Sequence, residues 1–418
     1  MKIFKFGGAS VKDADGVRNV ERVLRLHDQD SIVVVVSAMG KTTNALEKIV
    51  QSFFNQNEDW KPVLEEIRTY HYGIMEALFP RKEHSVYQDV EHVLTQIRLI
   101  CQGRADTDYN FIYDRIVSYG EIISTRIISA YLNDQGWQNN WLDARKLIKT
   151  NSNHRFARMN WEFTEILLQQ AIRPDQNYVI QGFIGSDDNL NATTLGREGS
   201  DYTASVIAFV MNAEEVIIWK DVPGVLNGDP KVFENATLLE HISFREAIEL
   251  AYFGASVIHP KTIQPLQRKN IPLRVKSFLQ PGDMGTCIGK GADLHPSLPI
   301  FIRKTEQGII KISTRDLAFI VEENLSLIYD IFHRLGVRVN LMQNSAVSSR
   351  FCINNDPITT PLLLKELDRH FDVEFTDNIE LYTIRHYTQD ARDMIRKNRK
   401  VLMEQITPNV WQVAVEAN

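Results

Sequence analysis

The order of apolar and amphipathic segments predicts an α/β fold, a three-layer αβα sandwich with a mainly parallel central sheet (residues 1–298), followed by a separate α+β region. Short apolar runs of strand type at 3–6 and 32–37 flank an amphipathic stretch at 17–26. This alternation is typical of βαβ units and a parallel sheet. A different rhythm begins after residue 298, where strand-type and helical patterns follow one another in βαββαβ order.

The first region contains one run that marks the centre of its sheet. Residues 32–36 read Ile-Val-Val-Val-Val, with no polar position, as expected for a strand covered on both faces. The patterns further along predict helices from 44, across 59–101 and at 122–132, and strands at 178–181, 215–220 and 273–276.

Residues 280–298 are rich in Gly, Pro and short polar residues, a linker composition that places the domain boundary near residue 298. The second region, 299–418, then holds one full βαββαβ unit over about 305–378. Its predicted order is strand 309–313, helix 324–335, strands 337–342 and 345–353, helix 361–370 and strand 371–375. Residues 380–418 offer a strand, a helix rich in Arg and Lys, and a strand, so a second unit is reduced.

Composition narrows the class of protein. The 418 residues carry a net charge of −6, which argues against a broad surface for nucleic acid or anionic membrane. The three cysteines have no metal-ligand spacing, and no apolar run reaches the roughly 18 residues that span a bilayer. The chain opens directly on a strand-like segment, which leaves no room for a signal peptide, so we expect a cytoplasmic protein that binds neither nucleic acid nor membrane.

The first candidate site is the turn after the first strand. Gly7 and Gly8 let the backbone approach a phosphate, and Lys5 at the strand end could neutralise charge on a transferring phosphoryl group. A surface lysine beside a tight turn is the alternative. The nearby Gly40-Lys41-Thr42 is no P-loop, because position 35 is Val rather than the required Gly.

Small and hydroxyl residues fill 37–44, at the end of the buried strand where open α/β sheets bind ligands. The alternative is that Thr43 or Asn44 caps the following helix, which could coexist with binding.

A second candidate site lies at 193–202, ahead of an apolar helix predicted at 203–211. Arg197 could bind a carboxylate while the amides of Gly199 and Ser200 face a phosphate. Asp201 would orient Lys5, or it would simply N-cap the helix.

Two weaker candidates complete the set. The strand end and turns at 219–231 carry Lys220, Asp221 and Lys231, although Pro-Gly and Asn-Gly also make plain surface loops. Glu121 follows Ser118-Tyr119-Gly120 at a predicted helix start, where it could bind a substrate ammonium or merely complement the helix dipole.

Taken together and in order, these segments resemble the aspartate kinases of the amino-acid kinase family. The matching segments are 5–8, 120–121, 193–201, 221–225, and 253–255 through 258–260. The resemblance implies an ATP-dependent kinase that converts L-aspartate to 4-phospho-L-aspartate, the first step towards lysine, threonine and methionine. ATP is then a co-substrate, with Mg²⁺ carried mainly by the nucleotide and no protein metal site.

The resemblance also assigns roles to residues. Lys5 would stabilise the transferring phosphoryl group and Asp201 would organise that lysine. Thr43, Glu121 and Arg197, with Gly199 and Ser200, would bind the amino acid. Gly7, Gly8, Lys220, Asp221 and Lys231 would line the nucleotide site, together with Lys5 itself.

The chain departs from the family pattern at four positions. Ala9 stands where Thr is common, Glu198 where a small residue is common, Leu226 where an aromatic is common, and Ser256 where Lys is usual. The last departure removes a cation expected near ATP, and Lys261 or Lys220 could replace it.

The second region resembles an ACT module, with which aspartate kinases sense lysine or threonine. Met342, Gln343, Asn344 and Ser345 lie at a strand junction where such modules bind amino acids. The region is also expected to pair two or more chains, and dimerisation alone is the alternative role.

Two other functions stay open at this point. The chain could be an amino-acid kinase for glutamate or acetylglutamate, against which the Thr-Leu-Gly-Arg and Gly-Glu segments argue. It could also be a catalytically weak amino-acid sensor, which the Ser256 and Ala9 departures would permit.

Overall fold

The computed structural model describes residues 1–55, 59–103, 108–255, 258–291, 293–316 and 318–417. The chain divides into two units. The first unit comprises Met1–Val225, Leu238–Ile248 and Val257–His295, and the second comprises Leu226–Thr237, Glu249–Ser256 and Pro296–Asn418. Each unit has its own sheet.

The first unit contains an eight-stranded sheet with the strand order β3-β4-β2-β1-β7-β9-β10-β8. All of its neighbours are parallel except β9 and β10, so the predicted α/β class with a mainly parallel sheet is confirmed. Its strands are β1 (Lys2–Phe6), β2 (Ile32–Val36), β3 (Asn140–Leu142), β4 (Tyr178–Gln181), β7 (Val216–Lys220), β8 (His241–Ser243), β9 (Leu273–Ser277) and β10 (Thr286–Gly289). A separate hairpin pairs β5 (Ile184–Ser186) with β6 (Ala192–Thr194).

The all-apolar β2 lies beside β1 near the middle of this sheet, and each of its residues is fully buried. The helices in this part of the chain are α1 (Ala14–Arg25), α2 (Thr42–Phe54), α3 (Lys61–Leu78), α4 (Ser85–Cys101), α5 (Tyr109–Asp134), α6 (Ala144–Leu147), α7 (Trp161–Ala171), α8 (Gly199–Met211), α9 (Phe244–Phe253) and α10 (Pro260–Lys269). Of these, α9 runs from the first unit into the second-unit segment Glu249–Ser256.

The longest helix, α5, corrects one prediction. The pattern predicted a helix over 122–132 with Glu121 near its start, but α5 begins twelve residues before Glu121, at Tyr109. Asp108 caps that true start, because its side chain accepts a hydrogen bond from the amide of Phe111. Glu121 therefore lies in mid-helix, and the interpretation that it complements the helix dipole is wrong.

The second unit is a six-stranded antiparallel sheet in the order β12-β13-β11-β14-β16-β15. Its elements are β11 (Ile300–Ser313), α11 (Glu322–Arg334), β12 (Val339–Asn344), β13 (Ser348–Asn354), α12 (Thr359–Leu367), β14 (Asp372–Arg385), α13 (Gln389–Arg396), β15 (Val401–Ile406) and β16 (Val410–Glu416). Two 14-residue strands, β11 and β14, run through the middle of the sheet and pair with each other.

Each of these two long strands contributes to both halves of the sheet. The end of β11 and the start of β14 form a βαββαβ half with α11 and α12, packed around Ile310, Phe332 and Phe351. In the other half, residues 300–304 of β11 pair with 381–385 of β14, beside β16, β15 and α13. The start of β11, which lies far away in sequence, thus supplies a fourth strand to the segment 380–418.

The helix rich in Arg and Lys that the sequence predicts within 380–418 does not expose all of its basic side chains to solvent. Helix α13 ends at Arg396, and the guanidinium groups of Arg392 and Arg396 lie 5.6 Å from the ring centroid of buried Trp411. Both arginines pair with Glu404 on β15. The cluster packs on the sheet because an arginine stem and its planar head can cover an aromatic face.

Across the described ranges, no helix is both long and apolar enough to cross a membrane.

Candidate active site

A cavity of about 450 Å³ opens in the first unit and gathers most of the predicted site. Predicted residues that line it are Lys5, Thr43, Glu121, Arg197, Gly199, Ser200, Asp201 and Lys220. Four more lining residues belong to the predicted segments 37–44 and 193–202: Ser37, Thr194, Gly196 and Glu198. Four others were missed by the sequence reasoning: Tyr113, Arg155, Phe156 and Phe183. The predicted segments therefore converge, although they lie far apart in the chain.

The centre of the cavity wall is an ion pair between Lys5 and Asp201. Lys5 lies on β1 between Val35 of β2 and Ile218 of β7, so its stem is enclosed by sheet. Its Nζ lies 2.6 Å from Oδ1 of Asp201, and the two side chains are only 10% and 4% exposed. A buried ammonium of this kind is held in place by its partner and can still face a ligand through the cavity.

Asp201 belongs to the first turn of α8, which begins at Gly199. Glu198 occupies the N-cap position, and no side chain caps this helix end. The alternative that Asp201 is the N-cap is therefore wrong. The amide of Gly199 donates to the carbonyl of Gly196 at 3.1 Å, and the amides that follow it in this uncapped first turn suit an anion.

The turn after β1 is packed against the turn after β2. A Cβ on Gly8 would lie 2.5 Å from the carbonyl oxygen of Ala38, so no side chain fits there. The amide of Gly40 donates to the carbonyl of Gly8 at 3.0 Å, and Gly40 itself has a left-handed φ of 53°. The two strand ends thus present bare backbone next to Lys5.

Glu121 is the most unusual acid of the cavity. Its Oε1 accepts a long hydrogen bond of 3.4 Å from the amide of Ala38, while its buried Oε2 has no hydrogen-bond partner in the described part of the chain. Burial raises the pKa of Glu121 to about 8. Such a carboxyl is suited to an incoming cation, which would restore its charge and satisfy its free oxygen.

Thr43 lies in the first turn of α2, which begins at Thr42. Lys41 occupies the N-cap position and no side chain caps this end, so the alternative that Thr43 or Asn44 caps the helix is wrong. Thr43 instead lines the cavity.

The loop that carries Arg197 is bent by two left-handed residues, Gly196 (φ 76°) and Glu198 (φ 55°). The side chain of Glu198, at a position where a small residue was expected, accepts a hydrogen bond of 2.8 Å from the amide of His259. The Arg197 side chain is exposed, which leaves its guanidinium available to a ligand.

Several predicted nucleotide residues stand apart from the cavity. Asp221 is exposed just beyond the end of β7. Lys261 donates from Nζ to the carbonyl of Leu195 at 3.1 Å and lies 4.8 Å from the centroid of the Tyr202 ring. Burial lowers the pKa of Lys261. Lys231 belongs to the second unit, and Ser256 lies outside the described residues.

The second unit has a cavity of its own, of about 820 Å³. Two of the predicted regulatory residues, Met342 and Asn344, line it. The hydroxyl of Tyr329 on α11 lies 3.0 Å from Sδ of Met342. Gln343 and Ser345 do not line this cavity; the Ser345 hydroxyl lies 2.8 Å from the Ser348 hydroxyl in the turn after β12.

Among the described residues, no group of three or more His, Cys, Asp or Glu side chains is placed to hold a metal ion.

Comparison with known proteins adds independent findings. The model of the amino acid kinase family matches residues 1–277. A lysine-sensitive aspartokinase 3 of Escherichia coli is 31% identical over 398 residues, which cover 91% of this chain and 86% of that protein. A chloroplastic aspartokinase 1 of Arabidopsis thaliana is 32% identical over 88% of this chain and 66% of its own length.

Solved structures agree with the sequences. Escherichia coli aspartokinase III in complex with lysine and aspartate, in its T-state, has a TM-score of 0.83 at 27% identity and covers 100% of this chain and 96% of its own. The R-state of the same protein, with aspartate and ADP, has a TM-score of 0.82 at 27% identity and equal coverage. An aspartate kinase of Clostridium acetobutylicum, at 22% identity and a TM-score of 0.81, shares the fold.

Proposed function

The chain belongs to the amino acid kinase family and, within it, to the aspartokinases, and from this premise we propose how its residues carry out ATP-dependent phosphorylation of L-aspartate. The product, 4-phospho-L-aspartate, starts the synthesis of lysine, threonine and methionine. The observation that carries the proposal is the buried Lys5–Asp201 pair beside the bare Gly7-Gly8 turn.

The phosphoryl end of the site lies at this pair. One oxygen of the substrate side-chain carboxylate attacks the γ-phosphorus in line, the bond from that phosphorus to the β,γ-bridging oxygen breaks, and ADP leaves. The Lys5 ammonium faces the charge that develops on the transferring group, and Asp201 fixes the position of the ammonium. An ionised carboxylate already is a nucleophile, so the site requires no general base.

The amino-acid end of the site lies at Glu121. Its free Oε2 accepts the substrate ammonium, Thr43 contacts the substrate beside it, and Arg197 binds a substrate carboxylate. The amide of Ser200 at the start of α8 faces the anion, and the amide of Gly199, which donates to the carbonyl of Gly196 at 3.1 Å, would have to release that oxygen to do the same. The proposed contacts thus combine, in one cavity, an oxygen that accepts the ammonium and groups that donate hydrogen bonds to a carboxylate, and an amino acid substrate requires both.

The nucleotide end is proposed to use Gly7, Gly8, Lys220 and Asp221, all at the carboxyl ends of β1 and β7. Mg²⁺ would be held by phosphate oxygens of ATP and would neutralise part of their charge. Lys231 and Lys261 remain proposed nucleotide contacts. Lys261 must release the carbonyl of Leu195 to reach a phosphate, so it should contribute less to nucleotide binding than Lys220.

Regulation is proposed for the second unit. The Escherichia coli relative is lysine-sensitive and its structure holds lysine, which favours lysine over threonine as the effector of this chain. Met342 and Asn344 are the residues through which the effector would act, with Gln343 and Ser345 on the same strand junction. Pairing of two chains through this unit and a cytoplasmic location complete the proposal.

Coupled ADP release tests the function directly. Purified protein is given Mg·ATP with L-aspartate, L-glutamate or N-acetyl-L-glutamate, and hydroxylamine traps the acyl phosphate. We expect turnover and hydroxamate with L-aspartate and at most a few per cent of that rate with the other two. Turnover with glutamate or acetylglutamate instead would assign the chain to a different kinase. Binding of aspartate without ADP release would leave a sensor.

A further inference from the structure

Two neighbouring residues of α3, Tyr70 and His71, contact the turns that follow β1 and β2, although none of the described residues that line the cavity of the first unit belongs to α3. The β1 turn (residues 7–13) carries the bare glycines of the proposed nucleotide end. The β2 turn (residues 37–43, including the start of α2) carries Thr43 of the proposed amino-acid end. We propose that Tyr70 and His71 are positioning residues, which hold these two turns at the separation that phosphoryl transfer requires. This inference rests on the proposed function and deepens it.

The hydroxyl of Tyr70 lies where the two turns meet. It donates a hydrogen bond to the carbonyl of Lys12 in the β1 turn. The same oxygen covers Gly40 in the β2 turn, because a Cβ added to Gly40 would lie 2.5 Å from it. Burial and the nearby carboxylate of Asp13 raise the pKa of Tyr70 to about 12, so the hydroxyl keeps its proton and remains a donor. One phenol oxygen thus contacts both turns.

His71 is fully buried beside the start of α2. Its Nδ1 lies 2.7 Å from the carbonyl oxygen of Ile67, one helical turn earlier, so this nitrogen carries a proton. Burial lowers the pKa of His71 to about 4, so the ring is neutral and Nε2 acts as an acceptor. Nε2 lies 3.4 Å from Oγ1 of Thr42, which also lies 2.6 Å from the carbonyl oxygen of Met39. His71 thus presents a second acceptor to the hydroxyl that closes the β2 turn.

Helix α3 gives these contacts a firm support. One face of the helix is buried, and Arg18 of α1 donates from Nη2 to the carbonyl of Ala77 near the end of α3, at 2.6 Å. The rings of Tyr70 and His71 also contact each other edge to face, with their centroids 5.0 Å apart. Side chains that project from a packed helix hold their partners more precisely than side chains on a loop.

Phosphoryl transfer depends on the position of the two turns relative to each other. The attacking oxygen must lie about 3–3.5 Å from the phosphorus, and a displacement of about 1 Å caused by a remote substitution can lower the rate about 100-fold. The amide of Gly40 donates to the carbonyl of Gly8, and Tyr70 adds a second connection between the same turns. Loss of that connection should therefore leave the binding of each substrate alone nearly unchanged and slow the step in which the two react.

Tyr70→Phe removes the hydroxyl and keeps the ring. We expect kcat with L-aspartate to fall about 30-fold, whereas the Kd of L-aspartate and of Mg·AMP-PNP, each measured alone by calorimetry, should stay within about twofold. Tyr72→Phe is the matched control, because Tyr72 lies about 200° further round the same helix and its hydroxyl donates to Glu91 of α4 at 3.0 Å. Its kcat should stay within about twofold, and the Tm of both variants within about 4 °C of wild type.

Two substitutions of His71 separate its shape from its hydrogen bond. His71→Leu removes the acceptor that faces Thr42 and should lower kcat about tenfold. His71→Gln can place a side-chain oxygen where Nε2 lies and should keep kcat within about threefold. A loss in His71→Gln as large as that in His71→Leu would contradict the role given to Nε2.

Gly40→Ala tests the contact between the turns. In wild type the new methyl group meets the Tyr70 hydroxyl and should lower kcat about 100-fold. In Tyr70→Phe it should lower kcat at most about tenfold further, since that oxygen is gone and only the left-handed φ remains unfavourable.

Three results would overturn the inference: equal kcat in Tyr70→Phe and Tyr72→Phe, a loss confined to the Kd of one substrate, or fully additive losses in the double variant. Wild-type turnover with L-aspartate is measured in the same series. Its absence would instead overturn the proposed function, on which the inference rests.

Discussion

The cavities of the two units are built from different chemistry. Among the described residues, seven Asp, Glu, Lys or Arg side chains line the cavity of the first unit, and two of them form a buried ion pair. The cavity of the second unit is nearly twice as large. Among the described residues it is lined by aromatic rings, aliphatic groups and neutral polar side chains such as those of Asn340, Asn344 and Gln412, without an Asp, Glu, Lys or Arg.

Backbone topology explains much of this difference. Parallel strands end at one edge of a sheet, so bare amides and strand-end side chains collect there and can meet phosphate and carboxylate groups. In the antiparallel sheet of the second unit, neighbouring strands run in opposite directions, so their carboxyl ends do not collect on one side. Its cavity can therefore select a ligand by shape and hydrogen bonds rather than by charge. Charged side chains thus line the cavity for which we propose the chemistry. Removing one of them should lower activity far more there than in the second unit.

The largest effect is expected from Lys5→Met. Without the ammonium, the transferring phosphoryl group loses its main protein cation and Asp201 is left buried without its partner, so kcat should fall at least about 10³-fold. Steady-state ADP release measures this. Lys2→Met is the control on the same strand, since Lys2 pairs with Asp30 and Glu215 away from the cavity, and its kcat should stay within about threefold. A similar loss in both variants would contradict a catalytic role for Lys5.

Glu121 should give the next largest effect, and its size should depend on pH. Burial raises the pKa of Glu121 to about 8, so in the empty site the carboxyl is protonated below that pH and cannot pair with an ammonium. In wild type, kcat/KM for L-aspartate should therefore rise with pH, about tenfold per unit, and level off near pH 8. Glu121→Gln should remove this rise and lower the plateau about a hundredfold.

The pH series includes Glu21→Gln as a control, because Glu21 forms a surface ion pair with Arg25 on α1. This variant should reproduce the wild-type profile. A profile that keeps its rise in Glu121→Gln would assign the titration to another group. The folded state of the empty enzyme should also lose stability in wild type as pH rises from the ordinary glutamate value towards 8, since the native carboxyl holds its proton more tightly than the unfolded one.

How far the sequence predicts these sites depends on whether the signal is local. The strand 32–36 and the glycines after β1 were predicted because a buried strand and a tight turn each require particular residue types at adjacent positions. Lys5 and Asp201 were named individually, and the structure joins them at 2.6 Å, but a pattern of residues alone cannot supply that distance.

Other features depend on residues far apart in the chain and could not be read locally. Arg155 lies in a loop whose shape is imposed by Asp114, 41 residues earlier, so nothing beside it in the sequence distinguishes it from a surface arginine. The same holds for residues 300–304, which pair with 381–385 and complete the second half of the antiparallel sheet. Non-local hydrogen bonds of this kind leave no periodicity to detect.

The second unit should control activity without contributing to it. Met342→Ala or Asn344→Ala should raise the lysine concentration for half-maximal inhibition at least about fivefold, because both residues line the cavity of the second unit. Their kcat without lysine should stay within about twofold of wild type. Arg350→Ala, an exposed residue on the neighbouring strand β13, is the control and should leave inhibition unchanged. If neither lysine nor threonine inhibits the wild type, the unit serves dimerisation alone.

The smallest effect is expected from removing a charged side chain of the second unit that stabilises the fold, Glu404. Oε1 of Glu404 accepts a hydrogen bond of 2.5 Å from the Trp411 indole and pairs with Arg392 and Arg396. Burial alone would raise the pKa of Glu404, but these partners outweigh it and hold the pKa below its usual value. The stabilisation is therefore present above the usual glutamate pKa and is lost as pH falls through the lowered one.

At neutral pH, Glu404→Gln should lower the free energy of unfolding by about 1 kcal/mol in urea titrations, since the group is partly exposed and water screens its pairs. Glu416→Gln removes an exposed pair with Lys400 and should cost less than about 0.5 kcal/mol. The kcat of both variants should equal that of wild type. A loss of kcat in Glu404→Gln comparable with that of Lys5→Met would show that charge in the second unit also serves chemistry, against the distinction drawn between the two cavities.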